Sequence, residues 1–287
     1  MHAFTTTADP VTAACGVAGH ALLEVKLTDI AAVRELPVPA GITPLPARFL
    51  RHADEQTVVG LRAVLESVAA CRAAGTSDAE SDFADYGVVS APCQPGRIPA
   101  AHCLNLLRSD GPSTVSPHIV PQCSLHSIAG AVSVALGMHG PNVGVSGGPH
   151  ALSEGLMASM TLLSTGAAPG IWFVATTWDC EPTLDADGAP VERAFDPPIC
   201  VAFAVALTAA TAPAASRLVL RIAPLSPPPR QPRLVRSPAD DVRRFAQAIE
   251  AAAVDGEASN RWSHAMPWAG ELRIARVPAT PRLKEAA

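Results

Sequence analysis

The stretch GVSGGPHALSEG, Gly144 to Gly155, contains a G-x-S-x-G match where a strand pattern gives way to a helix pattern. A sharp turn of that kind exposes one side chain above a sheet and aims the amides of a helix N-terminus at a developing oxyanion. The motif nominates Ser146 as a nucleophile. A serine hydroxyl needs an oriented base at neutral pH, so this reading requires a downstream histidine and a carboxylate to hold it. His264 fits the first role, and Asp179, Asp185, Asp187 or Asp196 the second. Two other uses of the turn stand beside it. Ser146, Gly147 and Gly148 could cradle an anion at the helix start, although no Lys-Ser/Thr follows and no complete G-x-G-x-x-G is present. Alternatively, the stretch is a tight turn with Ser146 near the cap and Pro149 at the first helical position.

Other residues with chemistry carry weaker patterns. His118, His126, His139 and His150 are separated by 8, 13 and 11 positions, which fits no regular ligand spacing, so neither a metal nor a cofactor is expected. Seven cysteines (Cys15, Cys71, Cys93, Cys103, Cys123, Cys180 and Cys200) are an odd, scattered set without a C-x-x-C pair. They read as small buried hydrophobes and not as a disulfide framework or zinc site. Cys123 is a candidate substitute nucleophile set against a structural thiol. Trp178, Asp179, Cys180 and Glu181 follow a strong strand, where α/β sheets often bind ligands but also need ordinary loops.

Composition bounds the setting of these residues. With 287 residues, 48% hydrophobic and 16% charged, the chain can build one large core or two small ones. Aromatics make up only 4%, which predicts closely packed layers of Ala, Val and Leu. A net charge of -5 gives no electrostatic footprint for nucleic acid, which is excluded as a partner. The N-terminus lacks a cationic start with a continuous apolar run, and the apolar stretch 200–215 is broken by Thr208, Thr211 and Pro213. The reading is a cytoplasmic protein without a signal peptide or membrane span.

The elements that must position the turn follow from periodicity. Residues 54–74 place Val58, Leu61, Val64, Leu65 and Val68 on one helical face. A buried strand at 86–91, a helix at 99–111, a small-residue helix at 125–138 and a short strand at 142–146 lead into the turn. A helix to about Ser164 and a strand at 171–177 follow it, and this alternation predicts α/β architecture. A loop over 183–198 precedes strands at 200–208 and 217–223, read as adjacent and antiparallel. LSPPPRQPRLVRSP is a Pro-rich connector carrying Arg230, Arg233 and Arg236, either a stiff spacer or a basic contact surface. Ser237 and Pro238 open a helix with Val242, Phe245, Ile249 and Ala253 on one face, and 271–277 adds a last strand before a mobile tail. The division is 1–224, a connector at 225–238, and a C-terminal helix and strand over 239–287 packed on the same domain.

The block from SPHIVPQCSLHS through GMHGPNVGVSGGPHALSEG to IWFVATTWD resembles the N-terminal half of the β-ketoacyl synthase family, which has the thiolase fold. In that family a small-residue helix leads to Gly-Pro, a strand, an elbow with the nucleophilic cysteine, a helix ending at Gly, and another strand. Gly130, Gly137, Gly140, Pro141 and Gly166 fall in the corresponding places. The resemblance is strongest over 114–180, fainter over 45–113, and nearly absent after 225, so the C-terminal half is reduced. Where the family has its cysteine this chain has Pro149, or His150 if the alignment slips by one. Neither forms an acyl thioester. The family's two histidine motifs also lack counterparts, and His264 has no matching glycine context. The resemblance therefore implies a chain-length-factor-type subunit of the short aryl-polyene kind, a pseudoenzyme in polyketide or fatty-acid-type biosynthesis. It would pair with an active β-ketoacyl synthase as a heterodimer, meet acyl carrier protein, and shape the tunnel for the growing chain. The family's interface segment corresponds to Gly140, Pro141, Asn142, Val143, Gly144 and Val145.

Overall fold

A computed structural model of the chain describes residues 11–40, 42, 44–73, 83–145, 147–191, 197–209, 216–224, 237–251, 261–266 and 270–278. Its first element is a long strand, β1 (Val11–Lys26), followed by two short helices, α1 (Ile30–Arg34) and α2 (Ala47–Arg51). Then come α3 (Glu55–Ala73), β2 (Gly87–Pro92), α4 (Arg97–Asp110), α5 (Ile119–Gln122), α6 (Ser127–Leu136) and β3 (Asn142–Gly144). The chain continues through α7 (Ala151–Ser164), β4 (Gly170–Trp178), β5 (Ile199–Ala209), β6 (Ser216–Pro224), α8 (Pro238–Ala251), β7 (Arg261–Ala265) and β8 (Gly270–Pro278).

Among the described residues the strands form one mixed sheet of eight, in the order β3-β2-β4-β5-β1-β6-β8-β7. The strands β3, β2 and β4 run parallel to one another, as helical crossovers require, and the remaining pairs, β4 with β5 included, are antiparallel. The order corrects one expectation. β5 and β6 do not pair, because β1 lies between them, with Val25 opposite Cys200 on one side and Ala14 opposite Val219 on the other. Strand patterning reveals that a segment is extended but not which neighbour it takes.

Alternation along β4 and β5 divides the core between the two faces of the sheet. Ile171, Phe173, Val201, Phe203, Val205 and Leu207 pack with α7 and α8. Trp172, Val174, Cys200, Ala202, Ala204 and Ala206 pack with α3 and α6. The alanine row lets α3 lie close against β5, and all five face residues expected of this helix are buried. On the opposite face, a Cβ at Gly155 would come within 2.5 Å of the Ala91 side chain and 2.6 Å of Phe173, so only glycine lets α7 approach this closely.

Buried polar groups pin the start of α3 to the sheet. Asp54, 2% exposed, accepts the Thr57 amide at 2.7 Å with one oxygen and the Gly96 amide at 2.8 Å with the other. Gln56 donates to the carbonyls of Cys93 and Gln94 and accepts from the Thr176 hydroxyl at 2.7 Å. Asp54 just before α3 and Gln56 in its first turn thus hold the segment after β2, and Thr176 of β4, to the helix start.

Candidate active-site elbow

Strand β3 is the edge of the sheet and stops at Gly144, two residues short of the span its sequence predicts. Gly144 lies against the backbone of Leu125, so tightly that a Cβ there would overlap the Leu125 carbonyl. Beyond it the Val145 amide still donates to the Ser90 carbonyl of β2 at 2.8 Å. Gly147 adopts φ 97° and bridges to Cys93 beyond β2, accepting the Gln94 amide at 2.9 Å. Ser146 lies outside the described residues, as do Asp196, Arg230, Arg233, Arg236, Ala253 and the tail beyond Pro278. Pro149 is exposed, and His150 is the N-cap of α7.

The side chain brought to this turn from the far end of the sequence is His264, on β7. Its Nε2 lies 2.9 Å from Nδ1 of His150, and its Nδ1 lies 3.1 Å from Oδ2 of Asp241. Asp241 sits in the first turn of α8 and is 7% exposed. Aromatic packing fixes these parts. Phe245 of α8 stands edge-on between Phe203 and Trp262, with centroids 5.3 and 5.4 Å away, and Trp262 stacks on His264 at 5.7 Å with 12° between the planes. Arg243 holds α8 to the sheet, gripping Glu24 of β1 at 2.7 and 3.1 Å and Asp179 at 2.8 Å.

Burial, and after it the neighbouring His264, lowers the pKa of His150 below the ordinary imidazole value, against the opposing fields of Glu154 and Asp241. His150 is therefore held toward its neutral form.

This geometry redistributes the candidate roles. Sequence reasoning named His264 but linked it with Ser146, and no histidine motif of the family type marked it. Both of its ring nitrogens are engaged, one by Asp241 and one by His150. Among the carboxylates considered for His264, Asp179 is in an ion pair with Arg243, and Asp185 accepts the amides of Asp187 and Ala189 within its own turn. In the sequence Asp241 stands only as one of two adjacent acids, with Asp240, at the start of a helix. Its partner lies 23 residues away across a connection that spacing does not resolve.

The other candidates are placed apart from the relay. Burial and the nearby Asp54, Cys103 and Glu55 push the Cys123 thiol up to about 11, so it is no thiolate nucleophile. His126 meets Asn142 of β3 at 3.2 Å, and His118 lines a cavity with Phe49, His52 and Pro121. Glu181 pairs with Arg97 at 3.0 Å. Among the described residues no group of three or more His, Cys, Asp and Glu is arranged to hold a metal ion. No described helix is long and apolar enough to cross a membrane.

No protein-family model and no curated protein matches the sequence. Solved structures match by shape. One chain of the ishigamide ketosynthase/chain length factor superposes with a TM-score of 0.58 at 16% identity, covering 93% of this chain and 100% of that one. The chain has a ketosynthase-type fold. A β-ketoacyl synthase from Burkholderia phymatum STM815 gives a TM-score of 0.49 at 15% identity, over 86% of this chain and 72% of its own. A ketosynthase in complex with its chain length factor from Xenorhabdus doucetiae gives 0.44 at 12% identity, over 72% and 60%. The fold assignment rests on the first of these. In this ketosynthase-type fold, the thiolase-like α/β layering expected from the sequence is present in a chain of only 287 residues.

Proposed function

We propose that this chain is the non-condensing member of a ketosynthase pair. It would associate with an active β-ketoacyl synthase, receive acyl groups presented by acyl carrier protein, and bound the chain being built. The observation that carries this reading is the elbow: the turn between β3 and α7 presents Pro149 and His150, and neither can hold a stable acyl thioester. The fold supplies the context, since the superposed ishigamide protein is described as a ketosynthase/chain length factor.

The surface around β3 supports pairing. An edge strand offers unpaired backbone groups to a second chain. On α6, which packs against β3, Val134 is 56% exposed; Val120 of α5 is 72% exposed, and Leu104 and Leu107 are exposed on α4. A cavity of about 610 Å³ beside Phe49, His52, Pro121 and Gln122 lies next to this apolar surface and is large enough to take part of an aliphatic chain. The proposed interface therefore comprises 140–145 together with α4, α5 and α6, and the aryl-polyene type of pathway belongs to the same proposal.

The test is co-expression with candidate partner ketosynthases and acyl carrier protein, followed by size-exclusion chromatography with mass determination. A one-to-one heterodimer is expected. A chain that stays monomeric, or pairs only with itself, would remove the reading. Failure to label with a fluorophosphonate is expected as well, because His264 is already engaged by His150 and Asp241.

A further inference from the structure

Asp241, His264 and His150 form a chain of hydrogen bonds ending at the elbow. A carboxylate only accepts, so Nδ1 of His264 carries a hydrogen toward Asp241. In neutral His264 the other nitrogen, Nε2, is then the acceptor, and Nδ1 of His150 donates to it. That arrangement leaves Nε2 of His150 with a lone pair, and no described residue hydrogen-bonds it. A proton taken up there feels the field of the buried Asp241 carboxylate, which opposes the lowering by burial and by His264.

The same residue stands at a helix start. The Ala151 amide bonds the Gly148 carbonyl at 3.0 Å and the Glu154 amide bonds the His150 carbonyl at 3.0 Å. Leu152 and Ser153, next along α7, are buried, Ser153 completely. A base held by hydrogen-bonded partners, with a free lone pair at the turn, can take a proton from a water that adds to an acyl carbon.

We propose that the elbow hydrolyses acyl thioesters, with Nε2 of His150 as the general base and His264 and Asp241 as positioning residues. The inference rests on the reading that this chain meets acyl thioesters. Water adds to the thioester carbonyl carbon while Nε2 of His150 takes one of its protons. The C–S bond of the tetrahedral adduct then breaks, and the same proton passes to the leaving thiolate. One thioester and one water give one carboxylic acid and one thiol, with no change of oxidation state and no acyl-enzyme.

The test uses the full chain, alone and bound to a partner ketosynthase whose nucleophilic cysteine has been replaced. A short S-acyl N-acetylcysteamine thioester is the probe, and released thiol is the readout. Wild type should release thiol above the uncatalysed rate, and His150→Gln should lose about a hundredfold or more of that rate. Added imidazole should restore part of it to His150→Ala, and Asp241→Glu should recover more than Asp241→Asn, outcomes that a merely structural role would not produce. His139→Gln should match wild type. Thiol release at the uncatalysed rate in both preparations, or an unaffected His150→Gln, would overturn the proposal. A heterodimer that forms without hydrolysing leaves the pairing reading intact, and hydrolysis without pairing removes the pairing reading alone.

Discussion

Nδ1 of His150 lies 2.9 Å from Nε2 of His264, although 114 positions separate the two in the chain. The pair joins the start of α7 to β7, where Trp262 of β7 packs between Phe245 of α8 and the His264 ring. Burial and the proximity of His264 lower the His150 pKa, so the unfolded chain takes up this proton more readily than the folded one. The sign follows from linkage. The stability associated with His150 is complete above the ordinary imidazole value of about 6.5 and is lost as the pH falls through the window beneath it. NMR titration should place the His150 ring below that value, and His264→Gln should move it upward. A ring titrating above the ordinary value would contradict the assignment.

Asp54 gives a prediction about the fold that positions the elbow. Both its oxygens accept backbone amides, from Thr57 and Gly96. An asparagine there would turn one acceptor into a donor facing an amide hydrogen. Asp54→Asn should lower stability by about 1–3 kcal/mol, seen as a lower urea midpoint at an unchanged slope. An unchanged midpoint would show that these bonds do not hold α3 to the loop before α4.

Much of this frame was legible beforehand, for physical reasons that particular elements make clear. The helix over 55–73 declares itself because Val58, Leu61, Val64, Leu65 and Val68 repeat at the helical period, and all are buried. β4 and β5 are apolar on both faces because helices cover both sides of the sheet. β1 carried no such signal: it is rich in small residues, and its role between β5 and β6 is set entirely by distant pairing. The relay was hidden for the same reason, since β7 is only five residues long and Asp241 looks like any acid at a helix start.

The proposed interface makes a prediction independent of the elbow. Val120 of α5 and Val134 of α6 are exposed, so Val120→Asp with Val134→Asp should leave the isolated chain within about 0.5 kcal/mol of wild type at each site. Binding to the partner ketosynthase should weaken at least about tenfold, read by titration calorimetry. Unchanged affinity would move the interface elsewhere.

Cys123 offers a check on the chemistry assigned away from thiols. Burial pushes the Cys123 thiol up to about 11, which disfavours the thiolate at neutral pH. Iodoacetamide should modify it far more slowly than a free cysteine, as peptide mapping would show. Rapid modification would return Cys123 to the list of candidate nucleophiles.

In the proposed role this chain works beside a condensing enzyme without itself holding the acyl chain. The most direct measurement is intact-mass spectrometry of the co-purified pair after incubation with acylated carrier protein. The account predicts an acyl mass increment on the partner ketosynthase and none on this chain. A stable acyl increment on this chain would contradict it.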